Sequence, residues 1–71
     1  MQKRSLSIAG HRTSIALEPE FWTALEAMAA ERHLAMAALV RELDETRQIA
    51  NLSSALRLAV LGWYQARAER S

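Results

Sequence analysis

The sequence predicts a mainly α-helical domain with one short strand per chain. Two copies form a dimer by pairing their strands into an antiparallel ribbon, and each adds an extra helix at its C-terminal end. Three observations carry this expectation: a small chain without a covalent or metal staple, one convincing stretch of strand-like alternation, and more apolar helix surface than one small core covers.

The chain has 71 residues, no cysteine and only two histidines, His11 and His33. Domains of this size usually need disulfides, a metal or a partner subunit. Without cysteine, disulfides and thiolate metal sites are excluded, and two histidines do not build a structural zinc site. Oligomerisation is the staple that remains. With 51% apolar and 24% charged residues and a net charge of +1, the chain is too apolar and too balanced to be disordered. No apolar run approaches the roughly 18–20 residues that span a bilayer. Ser5 to Ala9, after the basic start Met1-Gln2-Lys3-Arg4, is too short and polar for a signal-peptide core. The expectation is a soluble, cytoplasmic protein without a cofactor.

Arg12 to Leu17 reads as the strand. Thr13, Ile15 and Leu17 fall on one face, and Arg12, Ser14 and Ala16 on the other. Upstream, Ser5-Leu6-Ser7-Ile8 alternates in the opposite parity, and the switch falls across Ala9-Gly10-His11, where glycine suits a bulge or a turn. The chain is therefore divided into a basic N-terminal arm, residues 1–11, and a single domain, residues 12–71.

Helix 1 starts at Glu18-Pro19-Glu20, where proline fits the first turn and carboxylates suit the positive end of the helix dipole. Phe21, Leu25 and Met28 form its apolar stripe, widened by Trp22, and it ends near Arg32-His33. Helix 2 covers about 35–47, with Met36, Leu39, Val40 and Leu43 inward. Ser53 is the expected N-cap of helix 3, roughly 54–68, whose stripe is Leu52, Leu56, Ala59, Val60, Trp63 and Ala66. Leu58, Leu61 and Tyr64 widen that stripe beyond what one small core covers, which marks them, with Trp63, as candidates for a partner surface.

A lone strand leaves backbone N–H and C=O groups without partners, so its mate comes from the arm or from another copy. The reading adopted is the second copy: an isologous ribbon with helices 1 and 2 of both chains beneath it. Ile15, Leu17, Phe21, Leu25, Leu39, Val40 and Leu43 then form the dimer core. Arg12, Ser14 and Ala16 of both strands face outward as a six-residue patch. A two-stranded ribbon fits the DNA major groove, where Arg forks onto guanine, Ser donates or accepts, and Ala touches a thymine methyl.

Charge is unevenly laid out. Residues 1–17 hold Lys3, Arg4 and Arg12 with no acid, whereas 18–31 hold Glu18, Glu20, Glu26 and Glu31 with no base.

The pattern resembles the ribbon–helix–helix superfamily, the Arc/MetJ/CopG-type DNA-binding dimers, from R-T-S-I-A-L-E-P-E-F-W (12–22) through A-L-V-R-E-L (38–43). It is also similar to a small bacterial ribbon–helix–helix family with K-R-S-x-S-I-A-G-H-R-T-S-I and N-L-S-S-A-L-R motifs, which read here as residues 3–15 and 51–57. The resemblance implies base reading by Arg12, Ser14 and Ala16. It also implies phosphate contact by backbone N–H groups at the start of helix 2, here Ala35 and Met36, in a segment without Ser, Thr or Gly.

Each assignment has a plainer counterpart. Arg12 is a DNA contact or an exposed arginine at a strand start. Ser14 needs no explanation on an exposed strand. Lys3 and Arg4 attract phosphate or solubilise a tail, and His11 contacts phosphate or caps the turn. Trp22, Trp63 and Tyr64 have the spacing of core or interface residues rather than stacking platforms for bases.

No grouping of Ser, His and acid suggests a triad, and no enzyme is expected. The expected function is a homodimeric, sequence-specific DNA-binding protein that regulates transcription by reading double-stranded DNA with its ribbon. The alternative is a dimeric interaction module, of antitoxin or adaptor type, that binds a protein partner through the C-terminal helix. Membrane attachment through helix 3 lacks the basic residues it needs.

Overall fold

In the computed structural model, which describes residues 1–70, the chain runs β1 (Gln2–Ile8), β2 (His11–Leu17), α1 (Pro19–Glu31), α2 (Met36–Thr46) and α3 (Leu52–Arg70). The strands form an antiparallel hairpin with Ile8 opposite His11, Leu6 opposite Thr13, Arg4 opposite Ile15 and Gln2 opposite Leu17. Ala9 and Gly10 make the connection with φ of 52° and 83°. Two positive φ values in a two-residue loop match the turn whose twist suits a right-handed hairpin.

This corrects the expectation of one strand per chain. The mate of β2 is supplied by the same chain, and residues 2–8, expected in an arm outside the domain, are β1. The parity switch has a simple cause. Opposed residues in an antiparallel pair share a face, and a two-residue turn pairs even positions of β1 with odd positions of β2. Leu6 and Ile8 therefore join Thr13, Ile15 and Leu17 on the inner face.

Proline at the first helical turn and Glu20 in that turn start α1 as expected. Its end is a Schellman motif: the N–H of Leu34 donates to the carbonyl of Ala29 at 2.8 Å, and that of His33 to Ala30 at 3.1 Å. His33 holds the left-handed position, φ 56°, where glycine is usual. The start of α3 differs from expectation. Asn51, not Ser53, is its cap, its side-chain oxygen accepting the N–H of Ser54 at 3.0 Å. Ser53 lies inside the first turn and donates to the carbonyl of Ala16 at 3.4 Å. Starting earlier brings Leu52 onto the helix, where it packs against the core.

The core is closed within one chain. The hairpin contributes Ile8, Ile15 and Leu17, α1 contributes Trp22, Ala24, Leu25, Met28 and Ala29, α2 contributes Leu39 and Val40, and α3 contributes Leu56 and Val60. Of the residues expected in a shared dimer core, Ile15, Leu17, Leu25, Leu39 and Val40 are buried here, while Phe21 and Leu43 sit half-buried at its rim. Trp22 is fully buried, and its indole N–H donates to the carbonyl of Gln2 at 2.8 Å, tying the first residue of β1 to α1. β1 and α3 thus cover apolar surface that the sequence alone assigns to a second copy.

Candidate nucleic-acid interface

The same register that turns Leu6 and Ile8 inward turns Lys3, Ser5 and Ser7 outward. They oppose Ala16, Ser14 and Arg12 respectively, so one chain presents a six-residue outer face. Five of these residues are exposed and Ala16 is half-buried. The Ser5 and Ser14 hydroxyl oxygens are 3.2 Å apart across the middle of the ribbon. Lys3 and Arg12 lie near opposite ends of the face, and it carries no carboxylate. With strands about 4.8 Å apart and alternate residues about 6.7 Å apart along each strand, this surface has the width of a body that enters a major groove roughly 12 Å across.

The remaining expected contacts are dispersed. Arg4 belongs to the inner face: its guanidinium donates to Glu26 at 2.9 Å and lies 4.8 Å from the centre of the Trp22 ring. It points away from Lys3 and Arg12 because adjacent strand residues face opposite ways. His11 is exposed beside the turn, in inner-face parity. Ala35 is the N-cap of α2 and makes no side-chain cap, Met36 is half-buried, and the first helical bond runs from the N–H of Leu39 to Ala35. The N–H groups of Met36, Ala37 and Ala38 therefore have no helical partner. Ala37 and Ala38 share an open cleft of about 720 Å³ with Ser7, Ala9 and Gly10, so the start of α2 faces the hairpin tip. The cleft continues to Glu42 and Glu45, which engage Arg32 and Arg41.

Ser5 and Ser7 are the outward residues that sequence reasoning left out. The signal that finds them is the pair of opposite-parity alternations separated by two turn residues, the pattern of a hairpin.

A family model described as "Ribbon-helix-helix domain" matches residues 1–64. The chain is a member of the ribbon–helix–helix domain family. Ribbon–helix–helix domains are non-enzymatic and generally dimerise and bind DNA as regulators of transcription. The match spans β1, β2, α1, α2 and the first two-thirds of α3, so the hairpin and most of the third helix belong to the family's domain. No curated protein and no solved structure matches this ribbon–helix–helix chain. None of its described helices is long and apolar enough to cross a membrane.

The surface of α3 is of a different kind. Leu58, Leu61 and Tyr64 are 58%, 52% and 53% exposed. Trp63 is instead half-buried against the core, with the Arg67 guanidinium 4.6 Å from its ring centre and the Tyr64 ring edge-on at 4.9 Å.

Proposed function

We propose that this protein is a homodimeric, sequence-specific DNA-binding regulator of transcription that reads the major groove with the outer face of its β1–β2 hairpin. The observation that carries the reading is the acid-free, polar outer face on a two-stranded ribbon. Arg12 is the base-reading residue, able to fork onto guanine O6 and N7, and Ser14 adds a hydroxyl that donates or accepts. Ala16 offers a methyl contact. Lys3 draws the ribbon to the phosphate backbone, and the unpartnered N–H groups at the start of α2 are suited to anchoring a flanking phosphate. Arg4 is committed to Glu26 and Trp22 and is left out of the contact set.

The test is selection of fragmented genomic DNA on the purified protein at near-physiological salt, with Arg12→Ala alongside. Enrichment of a short shared site is expected, with the variant weakened by about 1–3 kcal/mol. Affinity should also fall steeply as salt rises. Equal affinity of wild type and Arg12→Ala removes Arg12 from the contact set. No enriched site from folded protein overturns the DNA reading. It would leave the interaction module, which the exposed apolar residues of α3 favour.

A further inference from the structure

We infer that Ser5 and Ser14 act together as a hydroxyl pair that reads adenine at the middle of the ribbon, which makes Ser5 of β1 a specificity-determining residue. The assignment rests on the DNA reading proposed above and names the base that this part of the face selects.

Ser5 and Ser14 are opposed in the hairpin register, and both lie exposed on the outer face. Their oxygens are 3.2 Å apart, so one hydroxyl donates to the other across the strands, in either direction. Ser7 and Arg12 flank the pair on one side and Lys3 and Ala16 on the other, so no carboxylate of this face competes for its protons. The cations of the face are also uncommitted. Arg4, Arg32, Arg41, Arg47, Arg57 and Arg67 each engage a carboxylate, whereas Lys3 and Arg12 engage none among the described residues.

In water a bond between two exposed hydroxyls adds little to the hairpin. Against a base edge it fixes where the protons point. Two hydroxyls hold two protons. With one of them between the oxygens, the pair presents a donor and an acceptor side by side, the combination by which Asn and Gln take adenine at N6 and N7. The adenine amino group donates to the first oxygen, that hydroxyl donates across the strands to the second, and the second donates to N7. Every proton in this ring has an acceptor, and hydrogen bonds in such chains strengthen one another. Guanine shows two acceptors, O6 and N7, so both protons turn to the base and the two oxygens face each other with none between them. Cytosine offers the pair only a donor and thymine only an acceptor, so each engages one end of it.

The test is affinity for a duplex selected on the wild-type protein, with circular dichroism as the check on folding. Replacing one adenine of that site by the analogue with carbon in place of N7 should weaken wild-type binding about tenfold. Ser5→Ala and Ser14→Ala should each bind the unmodified site about tenfold more weakly and should not distinguish the two bases. The double variant should be no weaker than either single one, because the two hydroxyls act as a unit. Ser5→Thr keeps the hydroxyl and should keep the discrimination. A selected site in which every adenine tolerates the change, a Ser5→Ala protein that still discriminates, or losses that add in the double variant overturn the hydroxyl pair and leave the DNA reading standing. Absence of any selected site from folded protein overturns both.

Discussion

Replacing Ala9 by asparagine and, separately, Gly10 by alanine should shift stability in opposite directions, because both residues have positive φ in a two-residue turn. A left-handed backbone costs an ordinary L-residue about 1–2 kcal/mol. Ala9, at φ 52°, bears that cost now, and asparagine tolerates the region far better. Ala9→Asn should therefore add about 0.5–1 kcal/mol of stability. Gly10 sits at φ 83° with open space where a Cβ would go, so alanine meets no clash and brings only backbone strain. Gly10→Ala should cost about 1 kcal/mol or slightly more. For a chain of 71 residues, with total stability of roughly 4–10 kcal/mol, these are large fractions. Each kcal/mol corresponds to about 4–8 °C in melting temperature. Urea unfolding at matched protein concentration reads both effects in the midpoint with unchanged slope. If Ala9→Asn adds nothing and Gly10→Ala is harmless, the strands do not close through this turn. Pairing within one chain would then be wrong.

Three further outcomes follow from the same framework. His33→Gly should raise stability by about 1 kcal/mol in urea unfolding, since His33 holds the left-handed position of a complete Schellman motif. Leu56→Ala should cost about 2–5 kcal/mol, because Leu56 is fully buried and joins α3 to the core; a loss near zero would mean that α3 is only an appendage. Glu18 is held below its ordinary pKa of 4.5, first by a backbone hydrogen bond and then by the Arg57 guanidinium at 2.9 Å. Its folded value being lower, the stabilisation is present above about pH 4.5 and is lost as pH falls through that lower value. Glu18→Gln should accordingly flatten part of the acid limb of a stability–pH curve, and an unchanged limb would refute the assignment.

The sequence discloses α1 almost completely, because Pro19, Glu20 and the Phe21–Leu25–Met28 stripe are local signals and a helix obeys local rules. It discloses the common face of Arg12, Ser14 and Ala16 for the same reason, the period of two along one strand. The fate of residues 2–8 was less legible. Their alternation was visible, but its reversed parity read as an interruption, whereas it is what a two-residue turn produces when the partner strand is the neighbour in sequence. Lys3 and Arg4 looked equivalent as adjacent cations. Only the register, together with Glu26 and Trp22 beneath the sheet, separates one facing out from one facing in. The start of α3 was displaced because Ser53 and Asn51 are comparably good caps. The choice between them depends on Leu52 packing against residues distant in sequence and on the carbonyl of Ala16 that Ser53 reaches.

The internal hairpin also changes how much a ribbon can say. A ribbon built from two identical strands repeats every residue about its axis, so its outward face contains three independent letters written twice. In this chain the two strands differ, and Lys3, Ser5 and Ser7 stand opposite Ala16, Ser14 and Arg12 as six separate choices. Mutation can alter one side of the face without altering the other. If the hairpin reads DNA as proposed, such a surface can match an asymmetric stretch of it from within a single chain.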